Sequence, residues 1–487
     1  MMHLRGRHRL NIMNNAFVGR EAELRLLGSF LQRQTPSIGV IYGRRRIGKS
    51  ALIRKALEGQ RALFFEGLEN QPKREQIKAF LFEFARQTGR SPVSEPVTTW
   101  REALVLLEPA LRKTPACIVL DEFQWMANYR HDLVSDLKMV WEQYLSRIPG
   151  VKLIVCGSIA SFMLSKVVRS SALYGRTDLQ LRLDPFSLEE AGGMLPGKGF
   201  DEVMEAYLCL GGVPKYLELV RDHPSVRTAV EQLAFEDNGY LVEEYDRVFA
   251  SHFGRNPDYR KIVLALSEQA QGLFRKDIAT RAGIDLGGTL SAHLDDLESA
   301  GFVTSVLPFD KSGNSRLIRY LLSDPYMRFY FAFIRPNLKR IRSRAHHGLY
   351  ARISQTGRYH AWRGRAFEYL CMGHTRQLAR ILGFAGIDFS SGPYFRSPSR
   401  DSAGFQVDLL FARADSVLTL CEMKCSVTPI GMEVIREVER KAQLLQREFA
   451  SKTVQRVLVV HGEASREVVQ SGCFYRIVHA RELAVAP

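Results

Sequence analysis

The chain has 487 residues, 46% of them hydrophobic and 25% charged, a composition that excludes a disordered polyelectrolyte and predicts about three packed units rather than one core. A formal net charge of +16 favours a polyanionic partner and says nothing about fold. No apolar run is long enough to cross a bilayer, and the seven scattered cysteines contain no CxxC, so a cytoplasmic protein with no membrane partner, free thiols and no zinc site at Cys421 and Cys425 is expected.

The first residues, MMHLRGRHRL, are basic but lead into the polar NIMNNAF, not into an apolar signal segment; residues 1–16 read as a disordered leader. After the apolar IGVIY comes GRRRIGKS, Gly43 to Ser50, followed by the helix-like ALIRKALEG. This is G-x-x-x-x-G-K-[ST] in its strand–loop–helix setting. Gly43, Arg46 and Gly48 belong to a loop whose backbone N–H groups wrap phosphate, Lys49 reaches the β- and γ-phosphates, and Ser50 holds Mg²⁺. ATP and Mg²⁺ are therefore the expected cofactors.

A second apolar run, ACIVL, ends in Asp121 and Glu122. Acids at the tip of a buried strand lie where open α/β sheets bind ligands. Asp121 is the expected acid on the Mg²⁺ side and Glu122 the group that polarises the attacking water. A third run, VKLIVC, ends in Gly157 and Ser158, with Ser158 suited to sensing the γ-phosphate. Arg176, just before another strand, is either a finger for transition-state charge, acting in its own subunit or a neighbour's, or a surface arginine.

With FVGREAEL (17–24), GRRRIGKS, LDEFQW (120–125), VCGS (155–158), LYGR (173–176) and GGVPKYL (211–217) in this order, the first half resembles the archaeal-type ATPases of the STAND class of P-loop NTPases. The resemblance implies a parallel, doubly wound sheet in residues 17–186 and a helical lid in 187–250. It also implies that Gly19 and Arg20 cover the base and that Pro214 belongs to the lid.

From Tyr259 short helical patterns precede a strand–turn–strand, which predicts a winged helix over 255–335. Its third helix carries His293 beside Asp295, Asp296 and Glu298, a poor set for reading bases, whereas Lys311, Arg316 and Arg319 of the hairpin suit phosphate. Between Pro336 and Ala366 lie Lys339, Arg340, Arg342, Arg344, Arg352, Arg358, Arg363 and Arg365 with no acid: a basic linker over 336–362, or a DNA track.

In LTLCEMKCS (418–426), Leu418, Leu420, Glu422 and Lys424 share one face if the segment is a strand. The preceding strand FQVDLLFA carries Asp408, and a hairpin brings it beside Glu422. Two carboxylates about 5 Å apart repel by about 3 kcal/mol at an effective dielectric near 20, and a divalent cation removes that penalty. Asp408, Glu422 and Lys424, with Glu368 on a preceding helix, resemble the PD-(D/E)xK nucleases, although Val407 replaces the proline of the motif. The resemblance implies a restriction-endonuclease-like α/β domain in residues 363–487, with Mg²⁺ or Mn²⁺ held by Glu368, Asp408 and Glu422.

The combined expectation is an ATPase whose nucleotide state governs a C-terminal DNA nuclease, with phage defence or mobile-element biology entering by analogy alone. An ATP-gated DNA-binding or signalling scaffold with an inactive nuclease-like domain is the alternative. The oligomeric state is left open, a homo-oligomer among the options.

Overall fold

The computed structural model describes residues 17–91, 96–169, 175–254, 256–307, 318–343, 347–396 and 404–485. The leader, Lys311, Arg316 and Arg344 lie outside them.

The front of the chain is built on strands β1 (Ser37–Tyr42), β2 (Ala62–Glu66), β3 (Cys117–Asp121), β4 (Lys152–Gly157) and β5 (Thr177–Arg182), all parallel, in the order β2-β3-β4-β1-β5. Their near-continuous apolar composition follows from burial on both faces. Ile38 and Val40 join one core with Phe80, Trp100 and Val140 of the helices on one side, and Ile41 joins another with Leu27, Phe30 and Ile53 of the helices on the other. This is an α/β P-loop NTPase fold with a doubly wound sheet. Parallel register sets Tyr42 opposite Gly157, so the tips of β1, β3 and β4 share one edge.

Five further helices, Leu188–Met194, Phe200–Leu210, Pro214–Arg221, Val226–Ala234 and Glu244–Phe253, pack beyond the sheet. At their turn, a Cβ on Gly212 would lie 1.9 Å from the carbonyl oxygen of Phe186, whose own N–H donates to the Gly212 carbonyl at 2.7 Å; only glycine permits that approach.

Helices Pro257–Ser267, Arg275–Ala282 and Gly288–Ser299 follow, with β6 (Leu273–Phe274), β7 (Val303–Val306) and β8 (Arg319–Leu322) in an antiparallel sheet ordered β6-β8-β7. His293 on the third helix is buried against the Tyr259 ring, and the Tyr259 hydroxyl donates to Asp296 at 2.5 Å. That helix packs on the short helix Ala160–Phe162 of the front domain.

The last sheet holds β9 (Phe389–Arg396), β10 (Phe405–Arg413), β11 (Val417–Cys425), β12 (Thr453–His461) and β13 (Arg476–His479), ordered β13-β12-β11-β10-β9. It is mixed: β9, β10 and β11 pair antiparallel, and β11, β12 and β13 pair parallel. Helix Glu433–Glu448 covers the Leu418/Leu420 face, and helix Gly357–Gly373 covers the other.

Among the described residues the expected linker over 336–362 is instead packed structure, and helix Gly357–Gly373 runs through the expected boundary at 362/363. Ile341, Leu349, Tyr350, Tyr359 and Trp362 are buried in one core that continues from Phe186 to Leu483. Glu231 of helix Val226–Ala234 accepts from the backbone N–H groups of Leu349 and Tyr350 at 2.8 and 2.9 Å, and Glu205 accepts from the Tyr350 and Tyr359 hydroxyls. The arginines of this segment suggest a linker, while its interspersed apolar residues decide its place.

Candidate functional site

At the end of β1 the chain turns through Gly43 at φ 153°, where a Cβ would lie 2.4 Å from the Leu183 carbonyl oxygen. The loop closes at Gly48, the N-cap of helix Lys49–Ala56. Lys49 is buried, and its Nζ donates to the carbonyl oxygens of Gly43 and Arg44, both at 3.0 Å. The ammonium thus lies within the loop's own hollow, where a bound phosphate would offer it stronger, charged acceptors.

Ser50 Oγ donates to Asp121 Oδ2 at 2.5 Å, and Asp121 Oδ1 accepts the Glu122 N–H at 2.9 Å. Glu122 is left-handed at φ 48°, a strained conformation for a residue with a side chain. Its carboxylate accepts from Ser158 Oγ at 2.7 Å and from Gln124 Nε2. Gln124 Oε1 in turn accepts the Ser158 N–H at 3.2 Å. The tips of β3 and β4 are therefore one polar network, and Gln124 is a member that sequence reasoning missed; the clue was a polar residue inside the apolar FQWM turn. Glu66 at the tip of β2 was missed as well. Burial, followed by the charges of Asp121 and Glu122, raises its carboxyl above the usual range. This surplus of negative charge, with the Ser50 hydroxyl against Asp121, fits an Mg²⁺ arriving with a nucleotide.

The other expected nucleotide residues are placed differently. Arg20 is buried and its polar atoms are used within the protein: Nη1 meets Glu23 at 3.0 Å, Nη2 donates to the carbonyls of Asp184 (2.6 Å) and Ile47 (3.3 Å), and its N–H donates to Glu190 at 2.9 Å. Its guanidinium lies 4.7 Å from the Phe186 ring centroid. Arg20, with Gly19 packed on Glu190, thus ties the entry segment to the phosphate loop and to helix Leu188–Met194. Pro214 opens its helix at N1, where a missing N–H is harmless. Arg176 pairs with Glu142 at 2.6 Å and precedes β5 at its start; Ile38 is in register with Thr177 and Tyr42 with Arg182. It therefore lies at the opposite end of the sheet from the phosphate loop, roughly 20 Å of strand away, and a finger acting within its own subunit does not fit this geometry.

The loop arginines reach across the molecule. Arg44 is ion-paired with Asp324, which caps helix Pro325–Phe329, and lies 5.0 Å from the Phe302 ring centroid. Arg46, left-handed at φ 72°, is ion-paired with Glu244 and lies 5.0 Å from the Tyr240 ring centroid. Glu244 also accepts from the Tyr216 hydroxyl at 2.7 Å.

A second charged cluster sits on the mixed sheet. Glu422 is 1% exposed; Lys424 Nζ donates to its Oε1 and Lys441 Nζ to its Oε2, each at 2.7 Å. Lys441 also meets Glu437 at 3.0 Å. Asp408 Oδ2 accepts the Met423 N–H at 3.1 Å. Burial, then Glu422, pushes the Asp408 carboxyl up to about 6, and burial, then Asp408, pushes Glu368 up to about 7. The structure does bring Glu368, Asp408, Glu422 and Lys424 together. Yet the two ammoniums satisfy Glu422, and among the described residues no group of three or more His, Cys, Asp or Glu is disposed to hold a metal ion. As arranged, this donor set does not fit a metal.

Residues 17–220 match the family described as an ATPase domain predominantly from Archaea. The front of the chain is an ATPase domain of that type. An uncharacterized protein of Methanocaldococcus jannaschii is 27% identical over 330 residues, 67% of this chain and 70% of that protein. Among solved structures, the Walker-type ATPase of Pyrococcus abyssi is 19% identical, with TM-score 0.48 over 64% of this chain and 95% of that one. A signal transduction ATPase with numerous domains and a tetratricopeptide repeat sensor, from Pyrococcus horikoshii, is 20% identical, with TM-score 0.29 over 75% of this chain and 49% of that one.

Proposed function

We propose that the chain is an ATP-hydrolysing switch of the STAND kind, in which the state of the phosphate loop sets the packing of the lid, the three-helix unit and the C-terminal sheet. The observation that carries this reading is the pairing of Arg44 with Asp324 and Arg46 with Glu244. A nucleotide's phosphates are a competing anion beside the same loop, so binding redistributes these guanidiniums and loosens or re-forms the contacts to both downstream units. In this reading Lys49 and the loop bind phosphate, Ser50 and Asp121 hold Mg²⁺, and Glu122, held by Ser158 and Gln124, orients water. Limited proteolysis with and without a non-hydrolysable ATP analogue tests it: protection that changes at residues 240–330 in wild type and not in Lys49→Ala supports the switch, and identical patterns overturn it.

The output that the charges favour is a gated DNA-binding or signalling module, because Glu422 is neutralised by two lysines. The exposed basic residues Lys339, Arg340, Arg342, Arg352, Arg358 and Arg365 are its DNA surface, whereas Arg363 is turned inward to Glu205. DNA affinity that falls steeply with salt supports this, and a flat response counts against it. A DNA nuclease, released when Glu422 leaves Lys441, is the second reading, favoured by the raised carboxyls of Glu368 and Asp408 beside Lys424. Cutting with Mg²⁺ or Mn²⁺ that is lost in Asp408→Ala and Lys424→Ala, with ATPase activity intact, supports it. No cutting in any nucleotide state removes it.

A further inference from the structure

Between the three-helix unit and the helix Gly357–Gly373 lies a cavity of about 440 Å³. Arg328 lies at its inner wall and Arg335, Arg358 and Arg365 line it further out. The outer three are exposed, whereas Arg328 is largely enclosed. Its Nε and Nη1 are buried without any hydrogen-bond partner. Burial depresses the Arg328 guanidinium below its ordinary range, Tyr369 and then Asp324 offset this in part, and the Tyr369 ring centroid lies 4.1 Å from its charge centre. None of the four arginines has an ion pair among the described residues, and the one acid on the wall, Glu268, pairs with Arg281 at 3.8 Å.

The Arg328 Nε and Nη1 are sealed from the cavity, but four guanidiniums without ion pairs around one space make a positive field that a bound anion offsets. Aromatic rings border the same space: Trp362 and Tyr369 on one side, and Phe331, under Arg335 at 5.5 Å, on the other. The volume lies within the range of about 300–1,000 Å³ typical of small-molecule sites. A double helix laid over the opening would meet the outer arginines but would not reach Arg328.

We propose that this cavity is a binding site for a nucleoside monophosphate, separate from the phosphate loop, with the phosphate on Arg328 and Arg365 and the base stacked among the aromatic rings. Guanidinium groups pair with phosphate bidentately, and planar bases stack on aromatic faces. Arg328 is one helical turn beyond Asp324, the partner of Arg44, so an occupant here adjoins the contact between the three-helix unit and the phosphate loop.

The test is isothermal titration calorimetry on the full chain carrying Lys49→Ala, which silences the phosphate loop, with uridine 5′-monophosphate, uridine, ribose 5-phosphate and sulfate as probes. The expected result is saturable binding of the nucleotide, at least tenfold weaker binding of ribose 5-phosphate, and none of uridine or sulfate. Arg365→Glu, an exposed change that leaves the fold intact, weakens the nucleotide at least tenfold, and Arg328→Met abolishes its binding. Nucleotide affinity unchanged in Arg365→Glu, or matched by ribose 5-phosphate or sulfate, overturns the proposal. So does the absence of binding, whatever becomes of the ATP switch, because Lys49 is not part of this site.

Discussion

Arg46 of the phosphate loop is ion-paired with Glu244, a fully buried carboxylate 198 residues further along the chain. The two partners differ in exposure, 24% against 0%, so removing one is not equivalent to removing the other. Among the described residues, Arg46→Ala leaves Glu244 with only the Tyr216 hydroxyl and should cost about 3–5 kcal/mol of stability. Glu244→Gln, which lets Arg46 turn to water, should cost less, and the double variant should recover part of the Arg46→Ala loss. A denaturant double-mutant cycle measures this; additive effects would show that the pair is not coupled.

Lys49→Ala should lose ATP binding in a fluorescent-nucleotide assay. Glu122→Gln should bind ATP normally and hydrolyse it about 10²–10⁴ times more slowly. Because Ser158 and Gln124 hold Glu122, Ser158→Ala should lower turnover with little change in ATP affinity. Wild-type hydrolysis in Glu122→Gln would remove the role given to that residue.

For Arg176 the geometry gives a sharper expectation than the sequence did. Its place at the far end of β5 predicts that Arg176→Ala leaves ATP turnover unchanged in dilute protein. A defect that appears only as concentration rises would mean that the arginine serves a neighbouring copy. A defect at all concentrations would contradict its placement.

The Glu368 carboxyl, ordinarily near 4.5, is pushed up to about 7. The folded protein therefore holds more protons at this group than the unfolded chain does between those values. Its contribution to stability is fully present below about pH 4.5 and lost as pH rises through about 7. In chelator, Glu368→Gln should gain stability relative to wild type from pH 5 to pH 8, on the order of 2 kcal/mol. A thermal-melt difference that does not change with pH would count against a raised Glu368.

What the sequence disclosed was local. The phosphate loop, the acids after β3 and the polar tip of β4 each depend on neighbours within a few residues, so spacing alone marks them. Partners brought from afar left no such mark: nothing near Glu244 or Asp324 points to Arg46 or Arg44. Lys441 is an intermediate case. It shares the stripe of Val434, Val438 and Leu445 that faces the mixed sheet, so a charge on the apolar side of that helix was visible, though not its partner. Arg20 shows the reverse: its motif resembles a base-covering segment, yet its guanidinium is occupied by carbonyls and a carboxylate.

The interior shared from Phe186 to Leu483 bears on how this protein can be taken apart. The front sheet carries its own two interiors and should survive excision. A fragment beginning at residue 363 would lose the first part of helix Gly357–Gly373, with Tyr359 and Trp362, and the helix Phe200–Leu210 that packs on it, and should be recovered as aggregate. The C-terminal sheet is thus less a tethered tool than one end of a continuous body, and whatever work it does must be done while still joined to the rest.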